Sequence, residues 1–462
     1  MSESEPLLAS LQETGDLFPS ILEGKNILLV TESWGPVNGV SRTTGYLVEY
    51  LRDHGANVFL VAPHFSDAAK QVQIQLPGIA LPYNPDLKVV YPFHIKQIFV
   101  KKFDIIYLAS PASLCFQLLL QIRQLRSAPP VLLNFQTDLS AYAEIMLPFP
   151  LDRFGVWLLG IVQGFLFRSR AVHTIFYPCS AIRGYLEDIR APVDRLKQLG
   201  RGVDTAHFTP GQRDEIYRKE IAPNGEIILI CVCRIAPEKG FEFLAQVASR
   251  LAADRIPFKL LIVGGNRNPV VEHNVKQLFS EIPNHVVFTG FLAGSCLARA
   301  YASADIFLHC SITETFGLVV LEAMASGIPV LARDQGGPSD IIQHGHSGFL
   351  VPSQDVDQFT RLTREVSENV ALRRKLATAA RQQAEGTTWE KINHRAACKM
   401  AEALANTDQE SNGVLPRVES GIIALGLEQV RLILAVGIVY LMWLIAVVPL
   451  LIHGNFFLRN RK

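Results

Sequence analysis

Glu314-Thr-Phe-Gly-Leu-Val-Val-Leu-Glu322 sets two carboxylates eight positions apart, with Phe316, Gly317 and Leu318 opening a helix between them. Eight steps of roughly 100° leave Glu314 and Glu322 about 80° apart around a helix axis and about two turns apart along it. They are too distant to share one proton, yet spaced to hold two ends of one elongated ligand. A helix start with glycine in its first turn offers unpaired backbone N–H groups and the positive end of the dipole, which together seat phosphate. A ligand with hydroxyls at both ends and a diphosphate in the middle fits this pattern, and a nucleotide sugar is such a ligand.

Working outward, Ile227-Ile-Leu-Ile-Cys-Val-Cys233 is an apolar run of strand length that ends in Arg234-Ile-Ala-Pro-Glu-Lys239-Gly240 ahead of an amphipathic helical pattern. Arg234 and Lys239 thus leave the carboxyl end of a parallel strand, where open α/β sheets bind ligands. Two cations there can neutralise a diphosphate leaving group. Leu260–Val263 runs into Gly264-Gly265-Asn266, and Val286–Thr289 into Gly290-Phe291-Leu292. Asp305–Ser311 leads into the paired-carboxylate loop, Val330–Ala332 is followed by Gly336-Gly337, and Gly348–Val351 closes the set. Strand, glycine turn and helix alternate, as in a doubly wound parallel sheet.

With these residues in view, the chain resembles retaining glycosyltransferases of family four. The resemblance spans roughly residues 25–400: Arg234 and Lys239, the Glu314 to Glu322 block continuing through Ala-Met-Ala-Ser-Gly-Ile-Pro-Val, Gly336-Gly337, and the joining segment Gly202-Val-Asp204 to Pro210. It implies an α/β GT-B fold, two Rossmann-like doubly wound domains facing a cleft. It also implies that Glu314 contacts donor-sugar hydroxyls and Glu322 holds the ribose. Arg234, Lys239 and the amides around Phe316, Gly317 and Leu318 would cradle the diphosphate, and the backbone near Phe291 and Leu292 would read the base.

The N-terminal half carries the same architecture more faintly. Asn26–Val30 is a first strand, and Gly35-Pro-Val-Asn-Gly39 is a turn before a helix Thr43–His54. Family members often place two adjacent glycines there; Asn38 occupies the first position, so close approach of backbone to phosphate rests on Gly39. Val58–Ala62 and Ile105–Ala109 are further buried strands, and Val131–Asn134 runs into Phe-Gln136-Thr137-Asp138. Many relatives carry His at this strand end. The Gln-Thr-Asp version resembles α-mannosyltransferases that act on lipid acceptors and sulfoquinovosyl-diacylglycerol synthases. Two readings of Asp138 stand: it orients or deprotonates the acceptor hydroxyl or stabilises positive charge building on the sugar, or it caps the following helix, Ser140–Met146.

Lys plus Arg number 44 against 43 for Asp plus Glu, so no charge excess points to nucleic acid. Seven cysteines are scattered; the one close pair, Cys231 and Cys233, shares a strand face and lacks metal spacing. Asp355-Val-Asp357 opens a helix after Gly-Phe-Leu-Val-Pro and reads as a cap rather than a metal motif. No metal and no cofactor beyond the donor substrate is expected. The helical stretch Phe154–Phe167 reads as core or cleft-lining, and Phe93–Lys102 as an interfacial segment.

The expected layout is a loosely docked N-terminus over 1–22 without the apolar core of a secretory signal, an acceptor domain over 23–212 and a donor domain over 213–405. A linker over 406–420, a membrane anchor over 421–453 and a basic tail over 454–462 follow. Leu432–Ile452 is 21 residues without a charge, long enough to cross a bilayer as a C-terminal transmembrane helix. Arg459, Arg461 and Lys462 beyond it favour a cytosolic tail, which a hairpin from about Ile422 would provide, but the single span is the favoured reading. The expected protein is a membrane-anchored retaining hexosyltransferase facing the cytosol, on the endoplasmic reticulum or another endomembrane. It would move mannose, glucose or sulfoquinovose from a nucleoside-diphosphate sugar to a lipid. Alternatives are the N-acetylglucosaminyl-phosphatidylinositol synthase subunit of GPI-anchor synthesis and a non-catalytic sugar-nucleotide-binding subunit.

Overall fold

A computed structural model describes residues 17–34, 39–63, 74–81, 84–90, 98, 101–110, 113–123, 128–136, 151–266, 268–312 and 314–412, with residues 430 and 437. The chain divides into two compact units. One comprises Gly15–Pro178, Ile182–Leu199 and the chain from Asn393; the other comprises Cys179–Ala181 and Gly200–Ile392.

In the first unit, strands β1 (Asn26–Val30), β2 (Asn57–Pro63), β3 (Ile74–Leu76), β6 (Ile105–Leu108), β7 (Val131–Asn134), β8 (Val172–Tyr177) and β9 (Leu196–Gln198) form one sheet in the order 3-2-1-6-7-8-9. Every pairing is parallel. A separate antiparallel hairpin joins β4 (Gly78–Leu81) to β5 (Asn84–Val90). The central strands are buried along their length, which is why they read as continuous apolar runs rather than alternating ones. The first helix spans Gly39–Asp53, four residues earlier than expected. Gly39 is therefore a helical residue and not a turn residue, and Thr43 and Thr44 return their hydroxyls to the Gly39 and Val40 carbonyls (2.7 and 2.8 Å).

In the second unit, β10 (Ile227–Val232), β11 (Phe258–Val263), β12 (Val286–Gly290), β13 (Ile306–His309), β14 (Val330–Arg333) and β15 (Gly348–Val351) run in the order 12-11-10-13-14-15, all parallel. Side-chain alternation supplies two cores. Ile228, Ile230 and Val232 join Leu261, Val263 and the helix Leu318–Ala325 on one face; Leu229 and Cys231 join Leu260, Ile262 and the helix Phe241–Ala253 on the other. A sheet covered on both faces is what all-parallel pairing requires. Asp355 caps the helix Val356–Glu368 through Gln358 N (2.8 Å), as its sequence context suggests.

The last described helix, Trp389–Asn412, passes from the second unit to the first at residue 393. Asn393 Nδ2 donates to the Tyr46 carbonyl (3.0 Å), and His394 Nδ1 lies 3.2 Å from the Tyr50 hydroxyl. The helix runs past residue 406, where a linker is expected from the polar composition. Thr-Asp-Gln-Glu-Ser extends a helix already nucleated by its buried N-terminal part. Among the described residues no helix is long and apolar enough to cross a membrane. The expected anchor Leu432–Ile452 lies outside them apart from residue 437, as do Asp138, the helix Ser140–Met146 and most of Phe93–Lys102.

Candidate active site

Strand order in the second unit reverses between β10 and β13, and such a reversal opens a crevice at the carboxyl ends of the two strands. The segment after β10 brings Arg234 and Lys239; the segment after β13 brings Glu314, Phe316 and Gly317. The two segments are tied by the Ile312 N–H donating to the Glu238 carbonyl (2.8 Å).

Lys239 and Glu314 meet there. Lys239 Nζ donates to Glu314 Oε2 at 3.0 Å, with side chains 14% and 21% exposed. The Gly317 N–H donates to the other carboxylate oxygen at 3.2 Å. Burial opposes ionisation of Glu314, but the nearby imidazole of His309 and the charge of Lys239 outweigh it and hold the carboxyl well below the usual carboxylate range. Burial would likewise lower the Lys239 amine, and the facing Glu314 carboxylate reverses that to a net rise. The pair is therefore ionised across the physiological range.

Gly317 begins the helix Leu318–Ala325 from a left-handed conformation, φ 93°, which a residue with a Cβ adopts only under strain. The first-turn amides of Leu318 and Val319 lack intrahelical acceptors, as in any helix start. The loop is pinned from behind: Gly337 N–H donates to the Glu314 carbonyl (2.8 Å), and a Cβ on Gly337 would stand 2.0 Å from the Phe316 carbonyl oxygen. Arg333, buried at the end of β14, donates to the Cys310 carbonyl (3.1 Å) beneath the same loop.

Arg234 is 67% exposed and pairs with Glu238 at 3.1 Å, so one of the two cations is held by the pocket carboxylate and the other stands at the surface. Glu322, one face round the helix, is 3% exposed and accepts a hydrogen bond from Tyr301 Oη (3.1 Å). Phe291 is exposed and lies against Gly265; Leu292 packs on the core that holds Leu261 and Val263. Cys231 and Cys233 bring their sulfurs to 3.9 Å, and burial keeps the Cys310 thiol protonated. In the first unit, the Glu32 carboxylate beyond β1 accepts from the Leu114 N–H beyond β6, at that sheet's own reversal point. Gln136 Nε2, beyond β7, donates to the Ala109 carbonyl (2.6 Å). The helix Leu151–Phe167 buries Leu158, Leu159, Val162, Leu166 and Phe167 and exposes Phe154, Trp157 and Ile161.

Sequence reasoning missed His309 and Tyr301. His309 is 4% exposed, with Nε2 3.8 Å from Glu314 Oε2. Its signal was a single imidazole at the end of an otherwise apolar strand, five residues before the first carboxylate. Tyr301 left no signal, since an aromatic in a buried helix is ordinary.

Comparison with known proteins accords with this geometry. Residues 37–207 match the model of Glycosyltransferase Family 4, and residues 212–383 that of Glycosyl transferases group 1. The chain is 34% identical over 379 residues, 79% of its length and 93% of the other, to a GDP-mannose-dependent alpha-mannosyltransferase of Mycolicibacterium smegmatis. It is 31% identical over 367 residues, 76% of its length and 68% of the other, to a sulfoquinovosyl transferase of Arabidopsis thaliana. Among solved structures, an Anabaena protein crystallised with UDP and glucose superposes with a TM-score of 0.63 at 16% identity, over 82% of this chain and 99% of that one. That likeness shows the two-domain GT-B fold. A carboxylate and a lysine paired at a sheet reversal, beneath a glycine-opened helix, within two family-matched halves, mark the chain as a member of glycosyltransferase family four, an enzyme that transfers a sugar from a nucleotide-sugar donor.

Proposed function

We propose that the enzyme is a retaining α-mannosyltransferase that uses GDP-mannose and acts on a lipid acceptor at a membrane surface. The observation that carries it is the Lys239–Glu314 pair at the strand-order reversal. One partner suits a departing diphosphate and the other suits sugar hydroxyls, so a single contact spans the bond to be broken. Charge grows on the leaving phosphate in the transition state, and a preorganised ammonium with first-turn amides beside it stabilises that charge. Arg234, exposed at the rim, adds a second cation for the diphosphate, and Glu322 would hold the ribose from one face round the helix.

A retaining glycosidase places its nucleophilic carboxylate about 5 Å from an acid partner. Glu314 is committed instead to Lys239 and Gly317. Departure of the donor phosphate on the face the acceptor enters, with that phosphate taking the acceptor proton, then accounts for retention without a covalent intermediate. Asp138 would orient the acceptor hydroxyl. No metal enters this scheme; Lys239, Arg234 and the amides carry the charge.

Mannose is favoured by the GDP-mannose-dependent relative, and sulfoquinovose is the second reading, favoured by the Arabidopsis relative. A lipid acceptor is supported by the apolar run Leu432–Ile452, which would anchor the catalytic units on the cytosolic face of an endomembrane. The test incubates full-length protein in detergent with labelled GDP-mannose, UDP-glucose, UDP-sulfoquinovose or UDP-N-acetylglucosamine, against diacylglycerol and phosphatidylinositol. α-Mannosyl lipid, identified by the anomeric coupling of the product, is expected. Transfer only from a UDP sugar, or a β-linked product, overturns the reading.

A further inference from the structure

His309 is a buried imidazole that the scheme above leaves idle. It closes β13 with 4% exposure, and among the described residues neither ring nitrogen has a hydrogen-bond partner. A buried polar group without a partner costs stability and calls for a reason. The ring lies tilted against Phe307, with centroids 6.3 Å apart, and points Nε2 at Glu314 Oε2 across 3.8 Å. That gap is just beyond a hydrogen bond, and contacts of this kind in ligand-free sites close when the substrate arrives.

The need for such a partner follows from the chemistry. Lys239 holds Glu314 at 3.0 Å in this structure. When Lys239 turns its charge to the departing diphosphate, Glu314 loses its counterion while still largely out of water. A carboxylate stranded in that way is costly, and the Gly317 N–H alone does not replace an ammonium. We infer that His309 is a positioning residue: its Nε2–H takes over Glu314 Oε2 as Lys239 moves to the phosphate, so that the carboxylate stays aimed at the donor sugar. The inference rests on the proposed roles of Lys239 and Glu314. His309 itself touches neither sugar nor phosphate.

The test uses the full-length chain and three substitutions. Gln can place an N–H where Nε2 stands; Asn cannot reach it; Leu fills the space without a donor. His309→Leu and His309→Asn should each lower kcat by about tenfold to a hundredfold, the worth of one charge-assisted hydrogen bond. The donor KM should stay within about threefold, because the lost contact forms as leaving-group charge develops, whereas the inhibition constant of free nucleoside diphosphate, which already carries that charge, should rise. His309→Gln should recover most of kcat. Equal losses in Gln and Asn, or a loss confined to KM, overturns the inference, and so does an unchanged kcat in His309→Leu. If the Leu variant fails to fold, the Gln and Asn pair still decides.

An activity-independent readout separates this from failure of the proposed reaction. In imidazole 15N spectra, the resonance missing from His309→Gln should shift on adding GDP or UDP, as its N–H closes on Glu314. A wild type that shifts but transfers no sugar sinks the reaction and keeps the inference. A resonance unmoved by either nucleotide sinks the inference alone, if transfer is observed.

Discussion

Replacing Lys239 with alanine tests the centre of the proposed site, because the contact that bears on stability is also the one proposed to set the rate. The ammonium lies 3.0 Å from a carboxylate, and the two side chains are 14% and 21% exposed. Removing one member of a fully buried pair costs about 3–5 kcal/mol, and an exposed pair is worth about 1 kcal/mol or less. Partial exposure and the retained Gly317 N–H contact place Lys239→Ala at about 1–3 kcal/mol. For a unit of this size that lowers Tm by about 3–10 °C. Adding Glu314→Gln to Lys239→Ala should return much of that loss, since the stranded charge is then gone. The cost belongs to the carboxylate left behind.

The pH dependence follows from the same pair. Folding depresses the Glu314 carboxyl below its ordinary 4.5, so its share of stability is complete above that value and is lost as pH falls toward the folded value. Folding raises the Lys239 amine above its ordinary 10.5, so that share is complete below 10.5 and is lost as pH rises through the folded value. The stability gap between wild type and Lys239→Ala should therefore be flat through neutrality and narrow below 4.5. Denaturant melts at a series of pH values measure it. In turnover, loss of the ammonium should lower kcat by about a hundredfold to a thousandfold, as for other preorganised donors to developing charge. A Lys239→Ala enzyme with normal kcat would refute the leaving-group role, and one with normal stability would refute the energetic weight given to the pair.

Four further outcomes can be checked directly. Gly337→Ala puts a Cβ 2.0 Å from the Phe316 carbonyl oxygen, so the loop must shift; donor affinity measured by calorimetry should fall at least about tenfold with a lowered Tm. Tyr301→Phe strips a hydrogen bond from the buried Glu322 and should cost about 1–2 kcal/mol in chemical denaturation. Glu322→Gln, which keeps the hydrogen-bonding shape, should instead weaken the nucleotide selectively. Asp138→Asn should cut turnover more than donor KM if Asp138 orients the acceptor; a change in melting temperature alone would return it to a helix cap.

What the sequence disclosed and what it withheld divide along a physical line. The parallel sheet of the second unit was legible because burial on both faces writes itself as uninterrupted runs, Ile227–Val232 and Leu260–Val263 among them. Glu314, Lys239 and Gly317 were legible because each sits where a strand ends or a helix begins, and those positions have chemical signatures. The pairing of Lys239 with Glu314 was not, since 75 residues separate them and only the strand order brings β10 beside β13. The hairpin of β4 and β5 was not, because Asn84-Pro-Asp-Leu-Lys carries more turn than strand chemistry.

His309 shows the limit most sharply. In sequence, Asp305-Ile-Phe-Leu-His309-Cys reads as a strand with one polar residue at its end, the commonest place for a residue of no account. Only its 4% exposure shows the ring held inside the fold rather than turned to water. Only the distance to Glu314 gives it a task. A charge that must change partners during a reaction needs a second partner waiting, and such a partner looks unsatisfied until the first has left. An unpaired buried donor beside a paired buried carboxylate is what a ligand-free enzyme of this mechanism would show.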